Sequence, residues 1–373
     1  MNNWQSHCKK NFNLHHQSIL VFLFLFFAIE LFGKKKDGNT EFVVLPAPSY
    51  NEVQGFGLTL TGGLFYSFDP SDSLLNASST FVYGFYAENT TWIGAVFQEG
   101  FFKQNKYWYS LLYATGDFKF RFYPDIPIGD RNYYINYSTQ FHIIKADFLR
   151  KLKKGFYVGL QYKFSNYKTT FQLNKGDSLE LPSYTENGRY SGLGPIFSFD
   201  TRDHKLTPTN GWYSNFSFLF YRNALGSDAD YQTVEFDLNK YFQLSEGSIL
   251  ATRFYAYVGW EDIPFEQQAI LGFAGKRGND VRGYSSGRYR GSQLYDVQAE
   301  YRWTFKGRWG LVGFGSLSLV GNDADEISEN GLLPAIGAGV RFNAAVDRNV
   351  NIGLDLAKGK NDYGIYFIVS EAF

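Results

Sequence analysis

Alternation of apolar and polar residues runs through segment after segment of this chain. In Leu294–Phe305, the apolar side chains from Tyr295 to Phe305 fall on one face of a strand and the Asp, Gln, Glu, Arg and Thr side chains fall on the other. The same period of two recurs in Ile249–Glu261 and Asn349–Ala357. A soluble sandwich seldom sets serial charges against an unbroken aromatic face, whereas a membrane barrel has a wet lumen and a lipid-facing outside. The pattern therefore predicts an all-β fold, a transmembrane antiparallel β-barrel.

The composition agrees with this class of fold. Aromatic residues make up 20% of the 373 residues, yet the mean hydropathy is slightly negative at −0.28. Lys plus Arg and Asp plus Glu are balanced at 36 each, so the chain lacks the basic excess of nucleic-acid binders. We therefore expect outer-membrane lipid, and no nucleic acid, as a partner.

The N-terminal segment indicates export. Lys9 and Lys10 precede an apolar run, Ser18–Gly33, which is short for a spanning helix and is typical of a signal peptide. An N-terminal membrane anchor is the alternative interpretation. We predict a signal peptide over 1–33, a short periplasmic lead-in over 34–52 and an outer-membrane barrel over 53–373. The sole cysteine, Cys8, precedes the apolar run.

The strand pattern predicts about sixteen strands, because bacterial barrels of this type have an even number. One strand is expected to lie hidden in 40–50 or in 122–136. Short turns alternate with long loops, as periplasmic turns alternate with outer loops. The fifteen visible strands are predicted near 53–68, 77–88, 91–102, 106–121, 137–151, 154–173, 190–203, 211–223, 230–244, 248–261, 292–305, 308–320, 333–345, 348–358 and 361–373.

Three motifs in order resemble one family. The long loop Gly272–Gly291 contains "DVRGY", "GLGPIFSFDTRDHKLTPTNGWY" spans Gly192–Tyr213, and the chain ends in "NIGLDLAKGKNDYGIYFIVSEAF". They resemble the signature loop, the strand-turn-strand and the last two strands of the BamA/TamA superfamily, also called bacterial surface antigens. The signature loop consists of Val281, Arg282, Gly283 and Tyr284.

This resemblance implies that the loop folds from outside into the lumen, where Arg282 pairs with a carboxylate. Glu300 is our first choice of partner and Asp296 the second. Further lumen carboxylates are Glu235, Asp237 and Asp355. The family usually carries an Asp in the second strand after the loop, where this chain has Ser316 and Ser318. A solvated surface loop with a basic face is the alternative.

The strand-turn motif has two interpretations. Asp200 and Arg202 share one face of a strand, Asp203 begins the turn, and Pro208 and Gly211 are typical tight-turn residues. Turn and register chemistry is favoured over support of the loop tip or of barrel closure.

Two functions compete. The glycines of the predicted first strand, Gly55, Gly57, Gly62 and Gly63, favour a weak seam against the last strand, which ends at Phe373. Such a seam would suit outer-membrane protein assembly or polypeptide translocation, with unfolded outer-membrane polypeptides as partners. Phe373 is also predicted to face lipid and to act as a targeting element. The alternative is a passive channel or a scaffold of a surface complex.

The region before the barrel favours that alternative. About twenty residues separate the predicted leader from the first predicted strand, which is too short for the POTRA domains of many relatives. Recruitment of clients would then need a separate periplasmic subunit.

Enzymatic function is not expected. "GYSSG" matches a nucleophile motif at Ser285, but no helix pattern follows it, and only His142 and His204 lie outside the leader. No metal-type spacing or cofactor motif is present, so we predict no catalytic residues, no metal and no cofactor.

Overall fold

Sixteen antiparallel strands form a nearly closed barrel. This computed structural model describes residues 35–37, 40–51, 54–69, 71–72, 75–122, 134–174, 183–205, 207–272, 281–345, 350–369 and 371–373. The predicted fold class and strand number are confirmed. The barrel strands are β1 (Thr40–Asn51), β2 (Gly55–Tyr66), β3 (Ser78–Ala87), β4 (Trp92–Phe102), β5 (Tyr107–Phe122), β6 (Tyr134–Lys153), β7 (Phe156–Asn174), β8 (Tyr184–Asp200), β9 (Gly211–Tyr221), β10 (Tyr231–Ser245), β11 (Ser248–Trp260), β12 (Gln293–Lys306), β13 (Trp309–Gly321), β14 (Leu333–Ala345), β15 (Val350–Gly359) and β16 (Asp362–Val369).

The hidden strand is β1, in the first of the two segments considered. It pairs with β2 from Glu41 opposite Phe65 to Asn51 opposite Gly55. The barrel strands therefore begin at Thr40, and the predicted lead-in over 34–52 is wrong for residues 40–51, which form β1. Pro46 and Pro48 concealed the strand, because proline inside a run argues against a central strand. The predicted signal peptide lies outside the described residues.

The alternation predicts the two faces of the sheet correctly. On β12, Val297, Tyr301 and Trp303 are exposed on the outer face. Glu300 and Arg302, on the inner face, are buried. A barrel that turns its charges inward and its aromatic residues outward matches a lipid surround.

Antiparallel order separates the connections into two ends. One end carries the short turns β6–β7, β10–β11 and β12–β13, and the other carries the long loops 222–230, 261–292 and 322–332. The last of these includes α1 (Ala324–Asn330), capped by the Asp323 side chain on Glu326 N. No helix among the described residues is long and apolar enough to cross a membrane.

The barrel closes weakly between β16 and β1, and we call this junction the seam. Among the described residues a single register pair, Ile365 with Tyr50, joins the two strands. By contrast, β16 pairs with β15 from Asp362 to Val369. A weak seam was predicted, but its position was wrong. The four glycines chosen for it lie on β2, which is paired with β1 and β3 along its length.

Two prolines of β1 account for the short seam. Pro46 and Pro48 are two residues apart, so their nitrogens face the same edge of the strand, and neither carries an N–H. Because β1 pairs with β2 without interruption, we expect that edge to be the one facing β16. Elsewhere in the barrel, the β8–β9 pairing skips from Leu193 to Ile196, across Pro195.

The C-terminal residues leave the sheet and turn inward. After Val369, Ala372 and Phe373 are buried with Tyr241 and Ala251, which lie on the inner faces of β10 and β11. The prediction that Phe373 faces lipid is therefore wrong. Continuing the period of two past Val369 failed because the strand ends there. The predicted targeting role of Phe373 stays a prediction.

Restoring two backbone donors in β1 should lengthen the seam. In Pro46→Val/Pro48→Val we expect the β1 and β16 edges to pair beyond Ile365, so amide hydrogen exchange of residues 362–369 should slow. Ala47→Val is the control, because it adds a β-branched residue without adding a donor. Equal exchange in both variants and the unchanged protein would contradict the proline explanation.

Candidate functional site in the barrel lumen

The long β11–β12 loop crosses the lumen from one wall to the other. Its described parts, 261–272 and 281–292, meet in a short ribbon in which Ala269 and Ile270 pair with Gly291 and Arg290. The first part contacts β6, β7 and β8 through Phe265, Gln267 and Glu266. The second part contacts β6 through Arg290, and contacts β12 and β14 to β16 through residues 282–284. The loop is therefore held at both walls of the barrel.

The first anchor is an aromatic and polar part of the barrel wall at the end that carries the long loops. Arg290 donates to the Tyr137 hydroxyl at 2.9 Å, to Gln268 at 3.1 Å and to the carbonyl oxygen of Phe265. Its guanidinium also lies 3.3 Å from the Phe265 ring centroid. Gln267 donates to Ser165 at 2.9 Å. These contacts fill the barrel interior beneath the long loops.

The second anchor is the signature loop itself. The Gly283 N–H donates to the Tyr366 hydroxyl at 2.8 Å, and the Tyr284 hydroxyl donates to the carbonyl oxygen of Pro334 at 2.7 Å. Val281 and Tyr284 are buried in one cluster with Leu271, Leu294, Val320, Leu333 and Ala335. Gly283 has φ +107°, a conformation that glycine adopts without penalty.

Arg282 lies between two buried carboxylates. It donates to Glu300 at 2.6 Å and to Asp355, and its side chain is 1% exposed. The guanidinium stacks on Phe314, 3.4 Å from the ring centroid. Glu300 was our first choice. Asp296 is engaged elsewhere, since it accepts from Ser318 at 2.7 Å and from Gln298 at 2.7 Å.

These contacts belong to a closed ring of six alternating charges, which we call the charge ring. Arg302 donates to Glu300 at 2.7 Å and lies 3.7 Å from Glu371. Arg341 donates to Glu371 at 3.0 Å and also to Asp355, which returns the ring to Arg282. All six side chains are buried and their formal charges cancel. In order, the ring is Arg282, Glu300, Arg302, Glu371, Arg341 and Asp355.

The ring joins five separate parts of the chain. Arg282 comes from the loop, Glu300 and Arg302 from β12, Arg341 from β14, Asp355 from β15 and Glu371 from the C-terminal segment. Arg302 also donates to the main-chain oxygen of Phe373 at 2.8 Å. Alternating charges with matched hydrogen bonds are the arrangement that makes burial of ions tolerable.

Two glycines of β14 make room for the ring. A Cβ at Gly337 would lie 2.3 Å from the Phe314 ring, and a Cβ at Gly339 would lie 1.9 Å from an Asp355 oxygen. Phe314 and Asp355 therefore reach the lumen across a strand that offers no side chain at these points. On β13, the strand where the family usually carries an Asp partner, Phe314 instead contacts the Arg282 guanidinium through its ring.

The remaining lumen carboxylates have other neighbours. Asp237 accepts from Arg253 at 2.9 Å and 3.3 Å, on β10 and β11. Glu235, one pair away on β10, faces Tyr257 in the register. The ion-pair partners of Arg282 are Glu300 and Asp355, and neither Asp237 nor Glu235 is among them.

The strand-turn motif lies between β8 and β9, at the short-turn end of the barrel. Asp200 pairs with Arg202 through two hydrogen bonds of 2.9 Å and 2.8 Å. Gly211 has φ +109°, and Pro208 is buried. This geometry supports the interpretation as turn and register chemistry.

Asp203 organises that turn. Partial burial acts to raise its pKa, but hydrogen bonds from Thr209, Asn210 and His204 hold the pKa below its usual value. These donors come from the turn itself, so the ionised carboxylate stabilises the local backbone.

Ser285 has a structural environment. Its N–H and hydroxyl both donate to Asp362, at 2.6 Å and 3.1 Å. His204 lies in the turn at the other end, and His142 contacts Tyr113 and Thr115 on the outer face. The structure does not bring Ser285 and these two histidines together.

Sequence analysis missed Arg341, Glu371 and Arg290. Arg341 had a signal, because it follows Gly337 and Gly339 in the inner row of a strand. Glu371 had none, since the terminal segment was interpreted as strand. Arg290 could not be distinguished from the other basic residues of the loop.

Removing one member of the charge ring should destabilise the barrel strongly. Arg282→Ala leaves Glu300 and Asp355 short of a cation, and loss of one partner from a buried pair costs about 3–5 kcal/mol. The matched control is Arg189→Ala, whose pair with Asp228 is exposed (63% and 45%) and is worth about 0–1 kcal/mol. Urea unfolding in lipid vesicles measures both. Equal losses of unfolding free energy would contradict the ring's role.

Solved structures with a similar fold come from three bacteria. BamA from Haemophilus ducreyi lacking POTRA domains 1–3 aligns with a TM-score of 0.54 at 12% identity, over 90% of this chain and 71% of that one. CdiB from Escherichia coli aligns at 0.59 and 13%, over 91% and 64%. CdiB from Acinetobacter baumannii aligns at 0.56 and 11%, over 90% and 60%. This chain thus spans less than two thirds of either CdiB.

No curated protein shows significant sequence similarity to the chain. The sequence profile of the Omp85 superfamily domain, however, matches residues 76–373. This range contains fourteen of the sixteen barrel strands, the long loop and all six residues of the charge ring. The resemblance of the three motifs, the inward-facing charges and the sixteen-stranded barrel agree with that match. The chain belongs to the Omp85 superfamily.

Proposed function

We propose that this barrel resides in the bacterial outer membrane and assembles or translocates polypeptides at its seam. The observation that carries the proposal is that, among the described residues, a single register pair joins β16 to β1. A strand edge with unpaired donors and acceptors is a template for another strand. Unfolded outer-membrane polypeptides are the class of client that such an edge suits.

The filled lumen favours the seam over a central path. The β11–β12 loop, anchored through Arg290 and Tyr284, occupies the half of the lumen nearer the long loops. The charge ring and Phe373 occupy the half nearer the short turns. A polypeptide passing straight through would have to displace both. Opening the seam would separate only the one register pair described between β16 and β1.

The passive channel remains the second candidate, favoured by the polar character of the inner face. Arg253, Asp237 and Gln298 line the wall beside the ring. Under this alternative the loop would move aside to leave a conducting pore. A separate periplasmic subunit would deliver clients only under the first proposal.

A disulfide across the seam tests the proposal. The Tyr50→Cys/Ile365→Cys variant places this disulfide across the one register pair described between β16 and β1. Val234→Cys/Val258→Cys is the matched control, because it joins an equivalent pair between β10 and β11. Insertion of a urea-unfolded outer-membrane barrel into vesicles is followed by the heat-dependent shift in gel mobility of the folded product.

We expect the oxidised seam variant to lose insertion activity and to regain it on reduction, while the control stays active in both states. Full activity of the oxidised seam variant would exclude seam opening. Steady single-channel conductance of the unchanged protein, retained in the oxidised variant, would instead support the passive channel.

A further inference from the structure

Two neighbouring turns at the short-turn end of the barrel carry an unusual density of positive charge. The β4–β5 turn and the β6–β7 turn are tied by a hydrogen bond from Lys151 N to the carbonyl oxygen of Lys106, 2.8 Å long. Neither stretch, 103–106 or 150–155, contains an acidic residue. Together they form what we call the basic rim: Lys103, Lys106, Arg150, Lys151, Lys153 and Lys154.

The charges of the basic rim are not neutralised within the chain. Among the described residues none of the six forms an ion pair, and five of the six are exposed. The nearest acid along β4, Glu99, is instead paired with Lys205 of the β8–β9 turn at 2.7 Å. Six like charges therefore repel one another unless an anion lies between them.

An aromatic belt lies directly beside these charges. On the outer face the rings of Phe102, Tyr107 and Phe148 form a cluster, in which the Tyr107 ring centroid lies 5.2 Å from that of Phe102 and 5.9 Å from that of Phe148. Lys103 and Lys106 reach over the same ring, with their Nζ atoms 5.8 Å and 5.9 Å from its centroid. Aromatic belts of membrane proteins lie at headgroup depth, so the basic rim lies at the depth of lipid phosphates.

The turn backbone holds two of the lysines in place at a cost. Lys103, Gln104 and Asn105 adopt φ of 51°, 55° and 61°, the left-handed region that is unfavourable for residues other than glycine. Asn105 is fixed by accepting a hydrogen bond from Asn76 N at 2.8 Å. The turn in this conformation brings the ammonium groups of both Lys103 and Lys106 to the Tyr107 ring.

We propose that the basic rim is a binding site for the headgroups of anionic phospholipids. Clusters of four to eight Lys or Arg residues at a membrane surface attract anionic lipids, with about 1 kcal/mol for each cation. The exposed Leu152 (59%) and Phe148 (52%) supply apolar contact for acyl chains, which an acidic protein partner would not need. The inference rests on the membrane location that the proposed function assumes.

The test compares phosphatidylglycerol with phosphatidylcholine on the purified full chain in detergent, with bound lipid counted by native mass spectrometry. Lys153→Gln/Lys154→Gln removes two charges from the basic rim. Lys168→Gln/Lys358→Gln is the control, because it removes two exposed charges elsewhere on the outer face. Heat-dependent gel mobility checks that both variants are folded.

We expect the unchanged protein to prefer phosphatidylglycerol, and the Lys153/Lys154 variant to bind it about 25-fold more weakly, which is about fivefold per lysine. The control should keep the preference. Equal binding by all three proteins, or equal loss in the control, would overturn the proposal. The lipid measurement involves no client, so a negative result there does not contradict seam opening. A negative result in the seam test likewise does not contradict the lipid preference.

Discussion

Six alternating charges inside the barrel hold the other parts of the structure in place. The ring links the signature loop, three barrel strands and the C-terminal segment through Glu300, Asp355 and Glu371. Buried ion pairs contribute little net stability compared with apolar packing, but they specify position, because every mispairing leaves a charge unmatched. The ring therefore fixes where the loop and the terminus lie more than how stable the barrel is.

Fixing the terminus has a consequence for the seam. Glu371 and Phe373 are held in the lumen, so the chain after Val369 cannot extend β16 along β1. Pro46 and Pro48 act on the opposite edge, where they remove two donors. The seam is thus kept short from both sides, by a charged anchor on one strand and by backbone chemistry on the other. If the ring released Glu371, the C-terminal segment would be free to extend β16 along β1, so the ring and the seam are coupled through this segment.

The fold was largely predictable, because the period of two reports which side of a strand meets water and which meets lipid. Glu300 and Arg302 were placed inward and Trp303 outward from the sequence alone. The failures came where local chemistry masks that period. Prolines hid β1, and the terminal segment kept an alternating pattern after its strand had ended. The family resemblance implied that Arg282 pairs with a lumen carboxylate, and the inward face of β12 made Glu300 the first choice. Arg341 and Glu371 required the register between strands.

An experimental structure of the barrel in a lipid nanodisc tests the central claim most directly. The account predicts density for the Arg282 guanidinium between Glu300 and Asp355, with Glu371 of the C-terminal segment bridging Arg302 and Arg341 inside the same lumen. Density that places Arg282 outside the barrel, or residues 371–373 along the outer edge of β1, would contradict it.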